Sequence, residues 1–543
     1  MEPQKNYKHA AIPLIIAVAL AVGIFVGTYF NTNSGGYRTL DGKFNYLLNV
    51  IDRQYVDTVD IHNIVEQTIP KLLSNLDPHS AYIPAEDLSD VNSELEGSFS
   101  GIGITFSMMA DSVTIGEVLP GGPAEKVGLK NGDRIVSVND TSIVGMKQMD
   151  VLKRIRGEKH TQVDIGIKRN SSGNKIFKYS IIRDDIPVNT VDVEYMIEPE
   201  IGYIHLNKFG KNSYFEFLAS MLKLRKDGAR RYIIDVRGNG GGLMEPSIQI
   251  ANEFLNKDNL IVFTRGREPR NDFQFWSDGN GTFPEVEFVV LIDEASASAS
   301  EIFAGAMQDN DRALVIGRRT FGKGLIQQQI DLPDSSAIRL TVGRYYTPSG
   351  RCIQKDFKPG NDEEYSMEIY NRYLNGELYS KDSIKVKSDQ IFETVHGRKV
   401  YGGGGIIPDI FVPNDTSGIS SYYINVVNAG LLQKFAFNYA DSHREALSKY
   451  SDVNELLKAL PSGDNLLYDF VRYAAQNGVA IRWYYIEQSR VLLINQLRAL
   501  IARELFGLQG FYKVYNMDDI NIKAAVKALN EGKAAIPIAD FSK

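Results

Sequence analysis

Apolar residues recur with different periods along this chain, and the changes of period divide it. Residues 10 to 30 form one uncharged apolar run, about twenty residues long, which at 1.5 Å per residue matches a bilayer-spanning helix. A polar tether, Asn31 to Gly36, follows. Phe44, Leu47, Leu48, Ile51 and Tyr55 recur at helical spacing, as do apolar positions between Ile61 and Leu73, until Leu76-Asp-Pro-His79-Ser-Ala-Tyr82 breaks the pattern. From about Glu96 the texture changes to short strands and glycine turns. Between 200 and 350, strands such as Ile201–Leu206, Tyr232–Val236, Phe288–Ile292 and Ala313–Ile316 alternate with helical patterns, which predicts a largely parallel sheet in an α/β layer. Beyond a polar, charged insertion at 355–387, helical patterns run from about Ser420 to the end. Tyr484, Ile486, Val491, Leu492, Leu497 and Leu500 read there as helix-packing positions.

The expected organisation is a multidomain α/β chain. Residues 1–36 are a stub, transmembrane anchor and linker; 37–95 an N-terminal helical region; 96–185 a β-rich module; 186–415 an α/β core; 416–543 a helical C-terminal domain. A length of 543 residues suits several such domains.

Charge and cysteine change this picture little. Sixty basic and 67 acidic residues leave a formal charge of -7, so no polyanion partner is implied and nucleic acid is not expected. One cysteine, Cys352, excludes an internal disulfide framework and a cysteine-built metal site. Lys5, Lys8 and His9 before the apolar run place the rest of the chain outside the cytoplasm by the positive-inside rule. Thr28-Tyr29-Phe30-Asn31 lacks a small-residue cleavage site, which favours an uncleaved single-pass anchor in the inner membrane over a signal peptide.

Candidate chemistry centres on Asp293-Glu-Ala-Ser296-Ala-Ser298-Ala-Ser300-Glu301, between a buried strand and an Ala-rich helix. Hydroxyls at a helix N-terminus lie beside unpaired N–H groups, which favours a nucleophile and a developing oxyanion, although N-capping alone would explain one serine. A serine needs a base. His205 lies in a strand pattern, and His79 beside Asp-Pro reads as a turn residue with no second histidine at metal-ligand spacing. Lys323, between Gly322 and Gly324, is the better candidate base, although a solvated loop lysine is the ordinary reading of such a residue. To be neutral it must lose roughly three pH units from about 10.4, an electrostatic cost of about 4 kcal/mol that burial beside Phe321, Leu325 and Ile326 would supply. Gln327 can orient the amine without adding charge.

Two glycine stretches mimic nucleotide motifs. Gly317 to Lys323 fits Gly-x4-Gly-Lys, but Gly324 stands where the magnesium-binding Ser or Thr belongs; Gly238-Asn-Gly240-Gly-Gly242 lacks the third glycine, its position being Leu243.

Between about Glu96 and Arg183, Gly101-Ile102-Gly103-Ile104-Thr-Phe106, Pro123-Ala124, Gly128-Leu and Gly132-Asp133-Arg-Ile resemble a PDZ domain. In that module the glycine loop, here Gly101, Ile102, Gly103 and Ile104, offers N–H groups to a peptide's terminal carboxylate and a strand edge accepts the peptide. With Ser-Ala-Ser-Ala-Ser-Glu-Ile, Thr-Phe-Gly-Lys-Gly-x-x-Gln and Asp-x-Arg-x-Asn-x-Gly-Gly, the chain from about Phe44 to Asp409 resembles the carboxyl-terminal processing peptidases, or tail-specific proteases. The resemblance implies a ClpP/crotonase-like core, Ser298 as nucleophile, Lys323 as base 25 residues later, Gln327 in support, and an oxyanion hole from the N–H groups of Gly241 and Ala299. Ala295 and Gly240 depart from the family's usual Gly and Pro, removing no functional group. It also implies protein substrates with accessible apolar C-termini, gating by the PDZ domain, and neither metal nor organic cofactor. A homodimer through the helical regions and an adaptor protein are partners left open. The competing reading is an inactive membrane-tethered PDZ scaffold; nucleotide hydrolysis at Gly317 to Lys323 is a third.

Overall fold

A computed structural model describes residues 17–23, 38–109, 112–119, 121–169, 175–386, 389–535 and 537. The expected anchor at 10–30 lies outside them except for 17–23, which are helical, and no described helix is long and apolar enough to cross a membrane. Residues up to Leu73 form one unit and Ser74 onward another. The first holds the helix Arg38–Gln54 and most of Ile61–Ser74, with Pro70 inside the latter. Residues 74–95, expected with those helices, belong to the second unit, because the strand Ala81–Ile83 pairs with Ala337–Tyr346.

The β-rich module is an antiparallel sheet of Ile104–Met109, Ser112–Val118, Arg134–Val138, Gln162–Lys168 and Ile176–Ile182, with Thr141–Ser142 beside the third. Its alternation buries Val113 and Ile115 on one strand, and Val163, Ile165 and Ile167 on another. Ile104–Met109 is an edge strand, so one row of its N–H and C=O groups has no strand partner in this sheet.

The α/β layer is a six-stranded sheet in the order Val191–Glu198, Ile201–Leu206, Arg231–Asp235, Glu287–Ile292, Leu314–Gly317 and Ile410–Phe411. The first pair is antiparallel and the rest parallel. Both faces are covered, which is why these strands read as continuous apolar runs. Ile234, Val290 and Ile292 point into the core under the helices Ser213–Lys226, Met244–Asn252 and Ala299–Asp309. Ile233, Val289 and Leu291, one residue out of phase, meet Ile522, Ala525 and Leu529 of the helix Ile520–Asn530. The C-terminal helical region therefore has two parts. Residues between Tyr422 and Val514 bury their own core, and the last long helix returns to the sheet. Ile486 and Leu497 are buried as expected, whereas Tyr484 and Val491 face outward, each near the start of its helix on the side away from that core.

A second sheet orders Ala81–Ile83, Ala337–Tyr346, Leu260–Gly266 and Gln274–Trp276, with Leu325–Asp331 also pairing to Ala337–Tyr346. A strand, Leu325–Asp331, follows Gly317 to Lys323 where a P-loop would lead into a helix. The described part of the insertion, 355–386, is built around the helix Asp362–Leu374, whose Tyr365 and Arg372 are buried.

Candidate active site

Three serines open the helix Ala299–Asp309, and the fold treats them differently. Ser296 and Ser300 are fully buried, and their hydroxyls donate to the main-chain carbonyls of Val236 and Asn239, both at 2.8 Å. Ser298 alone is half-exposed. Its backbone, at φ 56° and ψ -114°, lies in a region a side chain rarely adopts. Such strain persists only when the surroundings over-determine it, and here a buried carboxylate does so.

That carboxylate is Glu301. Its Oε2 accepts the N–H of Ser298 at 2.9 Å and of Lys323 at 2.8 Å, while Oε1 accepts Gly322 N–H at 2.8 Å and the Thr320 hydroxyl at 2.5 Å. Burial raises its pKa, and the four donors, Thr320 first, oppose the rise by satisfying the ionised form. The Tyr345 hydroxyl spans the carbonyls of Ser298, at 3.0 Å, and Lys323. The residue types around Glu301 do not mark this role; its one signal in sequence is the Ser-x-x-Glu spacing of a capping box at 298–301.

Lys323 sits where its glycine neighbours allow close backbone approach. Gly322 has φ +89°, and a Cβ there would lie 3.1 Å from the main chain of Gly404 and Gly405. Burial, then the charge of Arg339, lower the Lys323 pKa, against the opposing charges of Asp77 and Glu301. Lys323 Nζ donates to Gln327 Oε1 at 3.0 Å, and among the described residues no hydrogen bond joins it to Ser298 Oγ. Gln327 Nε2 donates to the main-chain carbonyl of His79. His79 Nε2 lies 2.7 Å from the Tyr365 hydroxyl, and burial, followed by the charges of Lys323 and Lys355, brings its pKa down to about 4. His205 is committed elsewhere, with Nδ1 3.0 Å from Asp192 Oδ2.

The glycine turn abuts the loop that carries Ser298. Gly241 has φ +100°, and a Cβ on it would lie 2.7 Å from both Ala297 O and Ser298 Cβ and 3.0 Å from Ala299 N. Its N–H, however, donates to Asn239 Oδ1 at 2.9 Å, so one of the two expected oxyanion donors is engaged within its own turn. Ala299 is the first residue of the helix, where N–H groups have no intrahelical acceptor. The turn is anchored by Asn239 Nδ2 to Leu206 O at 2.9 Å and by Ala297 N–H to Asn239 O at 3.0 Å.

The insertion helix supports this site from behind. Arg372 Nη1 donates to Thr320 O at 2.7 Å and Nη2 to Phe321 O at 3.1 Å, and Arg372 Nε pairs with Glu368 at 2.6 Å. Lys355 Nζ lies 4.0 Å from the Phe321 ring centroid and 4.1 Å from that of Tyr365. Neither residue was legible as part of the site, since both come from a stretch that reads as a solvated insertion.

In the β-rich module, Gly103 has φ +77°, Ile102 is buried, and the carbonyls of Ile102 and Gly103 accept from Ala124 and Leu119 at 2.8 and 3.0 Å. The loop 101–104 therefore leads into the open edge strand with its carbonyl side occupied.

Residues 200–362 match the model of peptidase family S41, 91–168 that of the PDZ domain, and 422–507 that of a family of unknown function. A carboxy-terminal-processing protease of Bartonella bacilliformis is 35% identical over 328 residues, covering 60% of this chain and 74% of that protein. The chain belongs to the carboxy-terminal-processing proteases of peptidase family S41. A probable CtpA-like serine protease of Staphylococcus epidermidis is 32% identical over 372 residues, 66% of this chain and 75% of that one. The solved photosystem II D1 C-terminal processing protease is 26% identical over 68% of this chain and 92% of that one, with a TM-score of 0.34. This S41 protease thus carries a PDZ domain ahead of its peptidase domain, and its helical C-terminal region lies beyond the peptidase match.

Proposed function

We propose that this S41 protease is a membrane-anchored endopeptidase that binds substrate C-termini at its PDZ domain and hydrolyses peptide bonds by a Ser-Lys-Gln mechanism. The observation that carries the reading is that one Glu301 oxygen holds the main chains of a half-exposed, strained Ser298 and of Lys323. In this reading Ser298 Oγ attacks the scissile carbonyl and its proton passes to neutral Lys323 Nζ. The tetrahedral oxyanion is held by the N–H groups of Ala299 and Gly241, the latter turning from Asn239 Oδ1 to do so. The Lys323 ammonium then protonates the leaving amine, and the neutral amine activates the water that hydrolyses the acyl-enzyme. Because Lys323 and Ser298 are not hydrogen-bonded here, binding must bring them together, and peptide docking on the strand Ile104–Met109 next to the loop 101–104 is the step we assign to that task.

An unstructured protein with an apolar C-terminus tests the assignment. Wild type should cleave it and Ser298→Ala should not; equal cleavage by the two would remove Ser298 from the mechanism, and no cleavage by either would favour a tail-binding scaffold. Residues 10–30 are proposed as the anchor, with the peptidase outside the cytoplasm, on the basis of their uncharged apolar run behind Lys5 and Lys8. Recovery of the full chain in the soluble fraction after carbonate extraction would refute this.

A further inference from the structure

This inference rests on the Ser298–Lys323–Gln327 reading and concerns what keeps Gln327 in the orientation it needs. A glutamine amide is nearly symmetrical in shape, so its O and N ends exchange unless a partner distinguishes them. The orientation matters to a neutral amine base. If Gln327 Oε1 faces Lys323, it accepts an amine hydrogen and leaves the lone pair free. If Nε2 faces Lys323, it donates to that lone pair and occupies the base.

The partner that distinguishes the two ends is a main-chain carbonyl. Gln327 Nε2 donates to His79 O, while Oε1 accepts from Lys323 Nζ at 3.0 Å. The turn presenting that carbonyl is built by Asp77, which is only 6% exposed. Asp77 Oδ1 accepts the N–H of His79 at 2.8 Å and of Ser80 at 2.9 Å, and Oδ2 accepts the Ser80 hydroxyl at 2.6 Å. Thr341, on the strand paired to Gln327's own, binds the turn from the other side. Its hydroxyl donates to Asp77 Oδ1 at 3.0 Å, its N–H donates to Ser80 Oγ at 3.1 Å, and it opposes Gln327 in register. The His79 ring adds a second brace through the Tyr365 hydroxyl at 2.7 Å.

We infer that Asp77 is a positioning residue for the proton-transfer relay: by building the turn 77–80 it aims the His79 carbonyl at Gln327 Nε2 and so keeps Gln327 Oε1 on Lys323. A segment from the start of the chain, far from the serine motif, thus completes the environment of the base. A merely structural role for the turn would lower stability without acting through Gln327.

The test is a double-mutant cycle on the full-length protein cleaving an unfolded substrate with an apolar C-terminus. Asp77→Ala should lower kcat about 30-fold while KM stays within about twofold, since it disturbs proton transfer and not docking. Asp77→Asn keeps an acceptor oxygen for the two N–H groups and should retain kcat within about fivefold. In a Gln327→Ala background, read on the plateau above the Lys323 limb, where the direct charge of Asp77 on Lys323 no longer sets its protonation, Asp77→Ala should change kcat by less than about twofold, because its remaining effect passes through the missing side chain. Where Asp77→Ala does not fold, Thr341→Val, which removes one bond to Asp77, carries the same cycle with a smaller single effect. An undiminished loss in the Gln327→Ala background overturns the inference. So does a wild-type kcat for both Asp77→Ala and Thr341→Val. Wild-type cleavage by Lys323→Ala is a different result: it removes the lysine base itself, and the positioning role with it.

Discussion

Glu301 Oε2 accepts the main-chain N–H groups of Ser298 and Lys323 at 2.9 and 2.8 Å, so a single buried oxygen ties together two residues 25 positions apart in sequence. Neutralising it should be costly. Glu301→Gln leaves one oxygen where two accept four donors, and the unsatisfied buried groups should cost about 2–3 kcal/mol of stability, read by chemical denaturation. Its charge also raises the Lys323 pKa. In whatever activity the variant retains, the acid limb of kcat/KM should therefore move to lower pH, and a limb moving to higher pH would refute the assigned sign.

The wild-type pH profile carries its own expectation. In the proposed mechanism Lys323 acts as a base only when neutral, and its pKa is lowered by burial and by Arg339, so activity should rise with pH through a limb below the ordinary lysine range of about 10.4. Arg339→Gln removes one lowering influence and should shift that limb upward. An unchanged limb in Arg339→Gln would mean that the limb reports another group.

Gly241→Ala places a Cβ 2.7 Å from Ala297 O and Ser298 Cβ at a φ of +100°. Backbone displacement there should cost about 2 kcal/mol or more and lower kcat by about 100-fold or more through the oxyanion geometry. Thermal unfolding and steady-state kinetics separate the two effects. A variant with wild-type kcat would exclude this turn from the oxyanion site.

Arg372 reaches the carbonyls of Thr320 and Phe321 from the insertion helix. Arg372→Leu should leave buried acceptors unpaired and Glu368 without its main partner, destabilising the protein by about 3 kcal/mol. It should also lower kcat, because the loop from Thr320 to Gly324 carries Lys323, the proposed base. Unaltered stability would show that the insertion helix is not a support of this loop.

The local chemistry was legible in the sequence because it is local. Strand runs flanking glycine turns announce the α/β layer, and Ser-Ala-Ser-Ala-Ser and Phe-Gly-Lys-Gly-x-x-Gln mark the proposed nucleophile and base by motif. Lys323 and Gln327 are four positions apart, but their hydrogen bond depends on the irregular entry into the strand Leu325–Asp331, with its bulge between Ile326 and Gln327. Which serine is exposed was not legible from composition, since all three are equivalent until Val236 and Asn239 take the hydroxyls of Ser296 and Ser300. Nor was the engagement of Gly241 by Asn239, which depends on a side-chain rotamer.

What the sequence determined by itself was the set of functional groups and the elements that carry them, because periodicity and turn residues act within about ten positions. The tertiary structure decided which distant groups meet. The Asp77 turn beneath Gln327, Arg372 on the base loop, and the last helix against Ile233, Val289 and Leu291 all join residues tens to hundreds of positions apart. Polar residues in turns and insertions look the same in sequence whether they face water or a buried carbonyl. Only the packing of the two sheets and the C-terminal helix determines which of them are buried and must be paired.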